Sequence, residues 1–236
     1  MPELGDVIED TATYFQALGS CNLLLNMDLA GFGKNLVYSA FARRWFLKWS
    51  RAEGNDRDEH LAISRSESFF DAVAAGAIAV AREIVDLSPD AWIADGEYED
   101  DFYYFFFLHR FIQRYRQTDP GLLSPILAQF GRALEGGDSS RLDICKAFAM
   151  NDGAAFGAAF EALINAHEEV VYVTDDPTAE PRRNIFVEGL ALLRIAERVG
   201  FVTESDYRYC PGTARLVNVP SLPEDIFAVI DRQFPR

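Results

Sequence analysis

Apolar positions recur along this chain at spacings of three and four, and convincing period-2 alternation is missing. Phe70, Val73, Ala77, Val80 or Ala81, and Ile84 follow the capping-box pair Ser64 and Glu67. They predict one helix of about twenty residues that "LSPD" stops. Val37, Ala40, Phe41, Arg44, Trp45, Lys48 and Trp49 mark another, closed by Gly54. Residues 6 to 18 predict an earlier one, with Gly31 and Gly33 separating the two.

Further along, Asp119-Pro120 and Ser124-Pro125 each set a capping side chain before a proline, and Gly136-Gly137 ends the helix that follows. Ser140 with Asp143 starts the next, and Asn151-Asp152 opens a segment whose Phe156, Phe160, Leu163, His167 and Val170 share a face. The polar stretch "TDDPTAEPRRN" (174 to 184) reads as a loop carrying Asp175 and Asp176. It leads into "IFVEGLALLRIAERVG", which is apolar around most of its circumference and so predicted to run through the middle of the fold. "YRYCPGTARLVNVPSLP" has too many turn residues for a helix and predicts an extended tail, after which Ser221 with Glu224 caps a last helix to about Gln233. The pattern predicts an all-α fold of antiparallel helical hairpins in an irregular, repeat-like (TPR- or solenoid-like) bundle. A short extended C-terminal segment follows, and 1-236 forms a single domain.

Composition sharpens this. Apolar residues make up 49% of the 236 positions, enough for a sizeable core rather than a disordered chain. Thirty-seven acids against 22 Lys plus Arg leave a net charge of −15, which repels nucleic acid and anionic membranes and attracts a basic partner. Acidity for solubility alone is the competing explanation. Three cysteines at irregular separations give neither a disulfide framework nor a zinc site. Without a basic, apolar N-terminal segment or a run long enough to span a bilayer, the expectation is a reduced, cytoplasmic protein.

The stretch "GEYEDDFYYFFFLHRF" (96 to 111) concentrates the candidate chemistry. On a helix, Glu97 and Asp101 would share a face and could hold a divalent ion. Acids also favour helix starts, where the macrodipole is positive, and Arg110, Arg114 and Arg116 lie at the other end, as the dipole prefers. From Asp86 to Asp101 there are seven acids and no Lys or Arg, more than dipole compensation requires. A partner-facing acidic patch of Glu97, Glu99, Asp100 and Asp101, with Asp175 and Asp176, accounts for the excess.

Isoprenoid-condensing enzymes pair an aspartate-rich motif with a second magnesium motif. Here "NDGAAFGAAFE" has Ala155 and Ala159 where a hydroxyl and a Glu are needed. "AGFGKN" lacks the spacing of a phosphate loop. No metal and no cofactor are expected. His109 and His167 fall on apolar faces and read as hydrogen-bonded core histidines. Glu188, inside an apolar helix, requires a cationic partner, for which Arg215 and Arg183 are the candidates. Phe102, Phe105, Phe106 and His109 make one core stripe, which leaves Tyr103, Tyr104, Phe107 and Phe111 pointing elsewhere. Tyrosines beside carboxylates suit protein recognition.

"EYEDDFYYFFFLHRF", "FEALINAHE", "FVEGLALLRIAERVGF" and "YRYCPGTARL" together resemble the bacterial immunity 49 family, over residues 97 to 216 with the first third unmatched. Members of that family neutralise partner toxins of polymorphic or contact-dependent systems. The resemblance implies an immunity protein that binds a protein toxin stoichiometrically, without an active site. A −15 chain suits a basic nuclease as that toxin, because carboxylates can occupy positions used by phosphates. A helical-repeat adaptor for a non-toxin protein, or a metal-dependent all-α enzyme using Glu97 and Asp101, would share the composition.

Overall fold

A computed structural model describes residues 3–55, 58–113, 120–173, 183–217, 219 and 221–233. Among these the chain is all-α: α1 (Leu4–Asn26), α2 (Leu29–Ala52), α3 (Glu67–Ala74), α4 (Ile78–Leu87), α5 (Glu99–Gln113), α6 (Pro120–Ala133), α7 (Ser140–Met150), α8 (Gly153–Val173), α9 (Val187–Val199), α10 (Gly212–Arg215) and α11 (Ile226–Gln233). Two 3-10 turns, Glu59–Leu61 and Ile63–Arg65, precede α3, and one antiparallel bridge joins Tyr207 to Cys210. No helix among the described residues is long and apolar enough to cross a membrane.

Helices α1 and α2 form an antiparallel hairpin. Its two-residue turn works because Met27 takes the left-handed conformation (φ 53°) and Asp28 caps α2 by accepting the Gly31 N–H at 2.8 Å. Gly31 and Gly33 therefore lie inside α2 rather than between helices. Gly33 is where the C-terminal segment crosses α2, and a methyl there would meet Val217 at 2.5 Å. The predicted helix from 64 to 84 is two helices, because Gly76 (φ 77°) turns the chain between α3 and α4. Ser64 is not its cap: it lies in a 3-10 turn, and Ser66 occupies the cap position.

Three other starts differ from the sequence reading. Ser139, not Ser140, caps α7 by accepting the Leu142 N–H at 3.3 Å. Ser124-Pro125 lies within α6, whose first residue is Pro120. Asp225, not Ser221, accepts the N–H groups of Phe227 and Ala228 at 3.0 and 3.3 Å to start α11. The C-terminal tail is interrupted by the single turn of α10. Most of the predicted 174 to 184 loop, with Asp175 and Asp176, lies outside the described residues.

The core is one hydrophobic cluster reaching from Ile8 to Phe227. Helix α5 crosses it buried on nearly every side, which is what its aromatic density is for: Phe102, Tyr104, Phe105, Phe107, Leu108, Phe111 and Ile112 are all inside. Phe70 meets Phe105 at 5.1 Å; Phe111 meets Phe148 at 5.1 Å, and Phe148 continues to Phe156 at 5.2 Å, linking α3, α5, α7 and α8 by ring contacts. Helix α9 packs on α3 with Leu190, Leu192, Leu193 and Ile195 buried.

Polar fasteners tie the hairpin to the rest. Buried Asp71 accepts Gln16 Nε2 from α1 at 2.8 Å and Ser39 Oγ from α2 at 2.5 Å. Buried Arg44 lies over the Phe41 ring at 4.3 Å and bridges Glu83 on α4 to Asp225, so the cap of α11 is also its anchor.

Candidate functional site

The acidic stretch between α4 and α5 is an ordered surface loop. After α4, the carbonyl of Ile93 accepts the N–H groups of Gly96 and Glu97 at 2.9 and 3.1 Å, making a tight turn. The Glu97 carboxylate accepts the Ser64 N–H at 2.9 Å and the Ile93 N–H at 3.4 Å, and the Trp92 indole donates to the Glu97 carbonyl at 3.0 Å. Arg65 Nε adds a bond to the Gly96 carbonyl at 3.3 Å. Glu97 thus precedes α5 and does not share a helix face with Asp101. Its carboxylate fastens the loop to the turn before α3. Among the described residues, no group of three or more His, Cys, Asp or Glu is arranged to hold a metal ion.

Besides the acids of the 86–101 segment, this loop displays two aromatic side chains that the sequence reading did not name. Tyr98 is 79% exposed and Trp92 43%, among the exposed acids Asp86, Asp90 and Asp95, with Glu99 and Asp100 half-buried at the start of α5. Asp90 pairs with Arg110 at 2.7 Å, and Asp86 accepts Gln113 Nε2 at 2.7 Å, so the far end of α5 steadies the same surface. Tyr103 is half-buried. Tyr104 is fully buried and unavailable to a partner, a correction to the expected tyrosine pair. The signal that could have found Tyr98 and Trp92 is the helix boundary. A start at Glu99 leaves Tyr98 outside the helix, while Tyr104 faces inward one turn and a half later.

Behind the loop the remaining carboxylates converge on one arginine. Arg141 holds Glu188 in a fork, Nε at 3.1 Å and Nη2 at 2.8 Å, and reaches Asp101 with Nη1 at 2.9 Å. The Tyr104 hydroxyl donates to Glu188 at 2.7 Å, and the guanidinium lies 4.7 Å from the centre of the Tyr104 ring. The partner of Glu188 is therefore Arg141. Arg215 instead pairs with Glu197 at 2.6 Å, and Arg183 donates to the Val171 carbonyl at 3.0 Å. Burial works against the Arg141 cation, but Glu188 outweighs it and keeps the proton bound above the usual arginine range. Burial, reinforced by Asp100, Glu188 and Glu97 and opposed by Arg141, raises the Asp101 carboxyl. Burial and Glu188 push the Tyr104 phenol well above its ordinary value.

This network lines a cleft of about 590 Å³ onto which the N-terminal ends of α3, α5, α7 and α9 open, with the last turns of α8 as a wall. Glu67, Asp101 and Glu188 sit in the first turns of three of these helices, so the positive helix ends account for the acids here. His167 lines the cleft half-buried, its ring stacked on Phe186 at 4.0 Å, rather than in the core interior. His109 is in the core between Phe69 and Phe105, but its Nε2 has no hydrogen-bond partner among the described residues. Burial, with Arg43 and Arg110 nearby, lowers its pKa to about 3, so the ring is neutral.

A family model described as Immunity protein 49 matches residues 37–214, which takes in α3 to α9, the acidic loop and the Arg141 network. The chain belongs to that family. The match begins well before residue 97, where the motif resemblance starts, and so covers most of α2. No curated protein and no solved structure matches the chain. Membership in the Immunity protein 49 family points to toxin neutralisation, with a protein toxin as the partner.

Proposed function

We propose that this Immunity protein 49 member neutralises its toxin by forming a stoichiometric complex, without catalysis, through the surface from Asp86 to Tyr103. The observation that carries this reading is the exposure of Trp92 and Tyr98 among carboxylates on a loop pinned by Glu97. Aromatic anchors held in place before binding lose little freedom on complex formation, and a partner can desolvate them at the centre of an interface. The surrounding Asp86, Asp90, Asp95 and Asp100 favour a basic toxin, for which nucleases are the best chemical fit, since these carboxylates would stand where substrate phosphates bind. The complex would form in the cytoplasm, with 1-236 acting as one unit.

The test is co-expression with the product of the adjacent upstream gene, in wild-type form and with Asp90→Lys and Asp95→Lys together. Wild type should restore growth and co-purify with the toxin. The charge-reversed variant should bind more weakly, with a shallower salt dependence. Unchanged affinity and salt dependence would remove this surface from the interface.

A further inference from the structure

Among the described residues, helix α1 carries a second unpartnered face. Val7, Thr11, Tyr14, Leu18, Cys21 and Leu25 follow a continuous alternation of four and three, the spacing of a two-helix seam. Except for half-buried Thr11 all are exposed, Tyr14 at 66%, Leu18 at 54% and Leu25 at 79%. The opposite face, with Ile8, Gly19 and Leu23, already packs against α2, so the outer stripe is not needed to hold α1 in place. A stripe of this length on a monomer marks an interaction site.

Charge decides what fits it. Between Glu3 and Gly33 there are five acids and no Lys or Arg; Glu9 pairs with Arg65, Asp6 bonds to His60 and Asp28 caps α2, while Glu3 and Asp10 lie exposed at the start of the seam. A second copy would bring together two chains that each carry −15, and an anionic bilayer is repelled for the same reason. We infer that the outer face of α1 docks an amphipathic helix of a protein partner, one whose apolar seam is flanked by Lys or Arg. Because the Immunity protein 49 match starts at residue 37, this face lies outside the shared region, and the contact goes beyond toxin binding at the 86–103 surface.

The test uses two fluorescent synthetic helices of the same length as α1, with leucines in the same seam spacing and either Lys or Glu at the flanking positions. Anisotropy titrations with the full chain should show the Lys peptide binding and weakening with salt, and the Glu peptide failing to bind. Leu18→Asp should weaken the Lys peptide by about 10-fold or more. Leu25→Ala, which keeps helix propensity, should weaken it less and keep the wild-type circular dichroism melt, while Leu18→Asp should lower the melt only slightly, through its poorer helix propensity at an exposed position. Equal binding of the two peptides, or unchanged affinity in both variants, would overturn the assignment. So would a wild-type dimer in sedimentation equilibrium that Leu18→Asp splits into monomers, since the occupant would then be a second copy.

Discussion

The indole of Trp92 donates to the main-chain carbonyl of Glu97 at 3.0 Å, and through that bond an exposed aromatic is tied to the residue that fastens the acidic loop. The Glu97 side chain takes the backbone N–H of Ser64, 33 positions earlier, so the loop is fixed to the turn before α3. One carboxylate thus orders a surface on which Asp95 is exposed and Asp86 and Asp90 are steadied by Gln113 and Arg110. Rigidity here is a property of hydrogen bonds that can be removed one at a time.

Glu97→Ala should therefore cost about 2 kcal/mol in urea denaturation, the scale of hydrogen bonds to a charged acceptor. Amide exchange should accelerate at Ser64 and Ile93 but not at core Phe107. Glu97→Gln, which retains one acceptor oxygen, should fall between. Unchanged exchange at Ser64 would show that the loop does not depend on this side chain.

The Arg141 network should behave as a unit. Tyr104→Phe removes one donor and should cost about 1 kcal/mol, while Glu188→Ala leaves a partly buried arginine without its main partner and should cost about 3 kcal/mol. The double variant should be less destabilised than the sum, because Tyr104 and Arg141 both bond to Glu188. Strict additivity would contradict the shared acceptor.

Helix content and the central place of α9 were legible because they depend on local apolar spacing, which the sequence displays directly; α5 read as a core stripe with a second aromatic face left over, and only the fold shows Tyr104, Phe107 and Phe111 buried as well. Boundaries set by tertiary contact were not. Gly33 looks like a helix breaker until Val217 is seen crossing it, and Ser64 looks like a cap until its N–H is found on Glu97. Burial of Glu188 signalled a need for a cation, but Arg141, Arg183 and Arg215 are equivalent until the chain is folded. Tyr104 and Tyr98 differ by less than two turns of chain, yet one is buried on Glu188 and the other is the most exposed aromatic of the loop.

Two histidines should shape stability against pH in opposite directions. His109 has its pKa lowered to about 3 by burial, so below the ordinary value near 6.5 the unfolded chain binds a proton that the native state refuses. Stability should fall by about 1.4 kcal/mol per unit as pH drops from about 6.5 to 5, above the range where most carboxylates titrate. His109→Leu should flatten that limb.

Burial disfavours the charged form of His60, but hydrogen bonds to Asp58 at 2.8 Å and Asp6 at 3.1 Å outweigh it and raise its pKa. A raised histidine stabilises fully below its unfolded pKa and loses that contribution as pH rises through the folded value. His60→Gln should therefore flatten the alkaline limb, from about pH 6.5 upward. Urea midpoints across the range check both limbs.

Thiol reactivity gives a quick check of the packing. Cys21 is exposed, whereas Cys145 and Cys210 are buried and burial raises both thiols. An aromatic disulfide reagent should titrate one thiol per native chain and all three after unfolding.

On the proposed reading, Trp92 and Tyr98 anchor a toxin on a pinned acidic loop. Isothermal titration of the product of the adjacent upstream gene, against wild type and the Trp92→Ala and Tyr98→Ala variants, tests it most directly. A one-to-one complex is expected with wild type, with a loss of about 10-fold or more in affinity for each variant; the Tyr98→Ala melt should be unchanged because that side chain is exposed, and the Trp92→Ala melt should fall by no more than the one hydrogen bond it gives Glu97. A complex whose affinity neither substitution alters, or no complex at all, would contradict it.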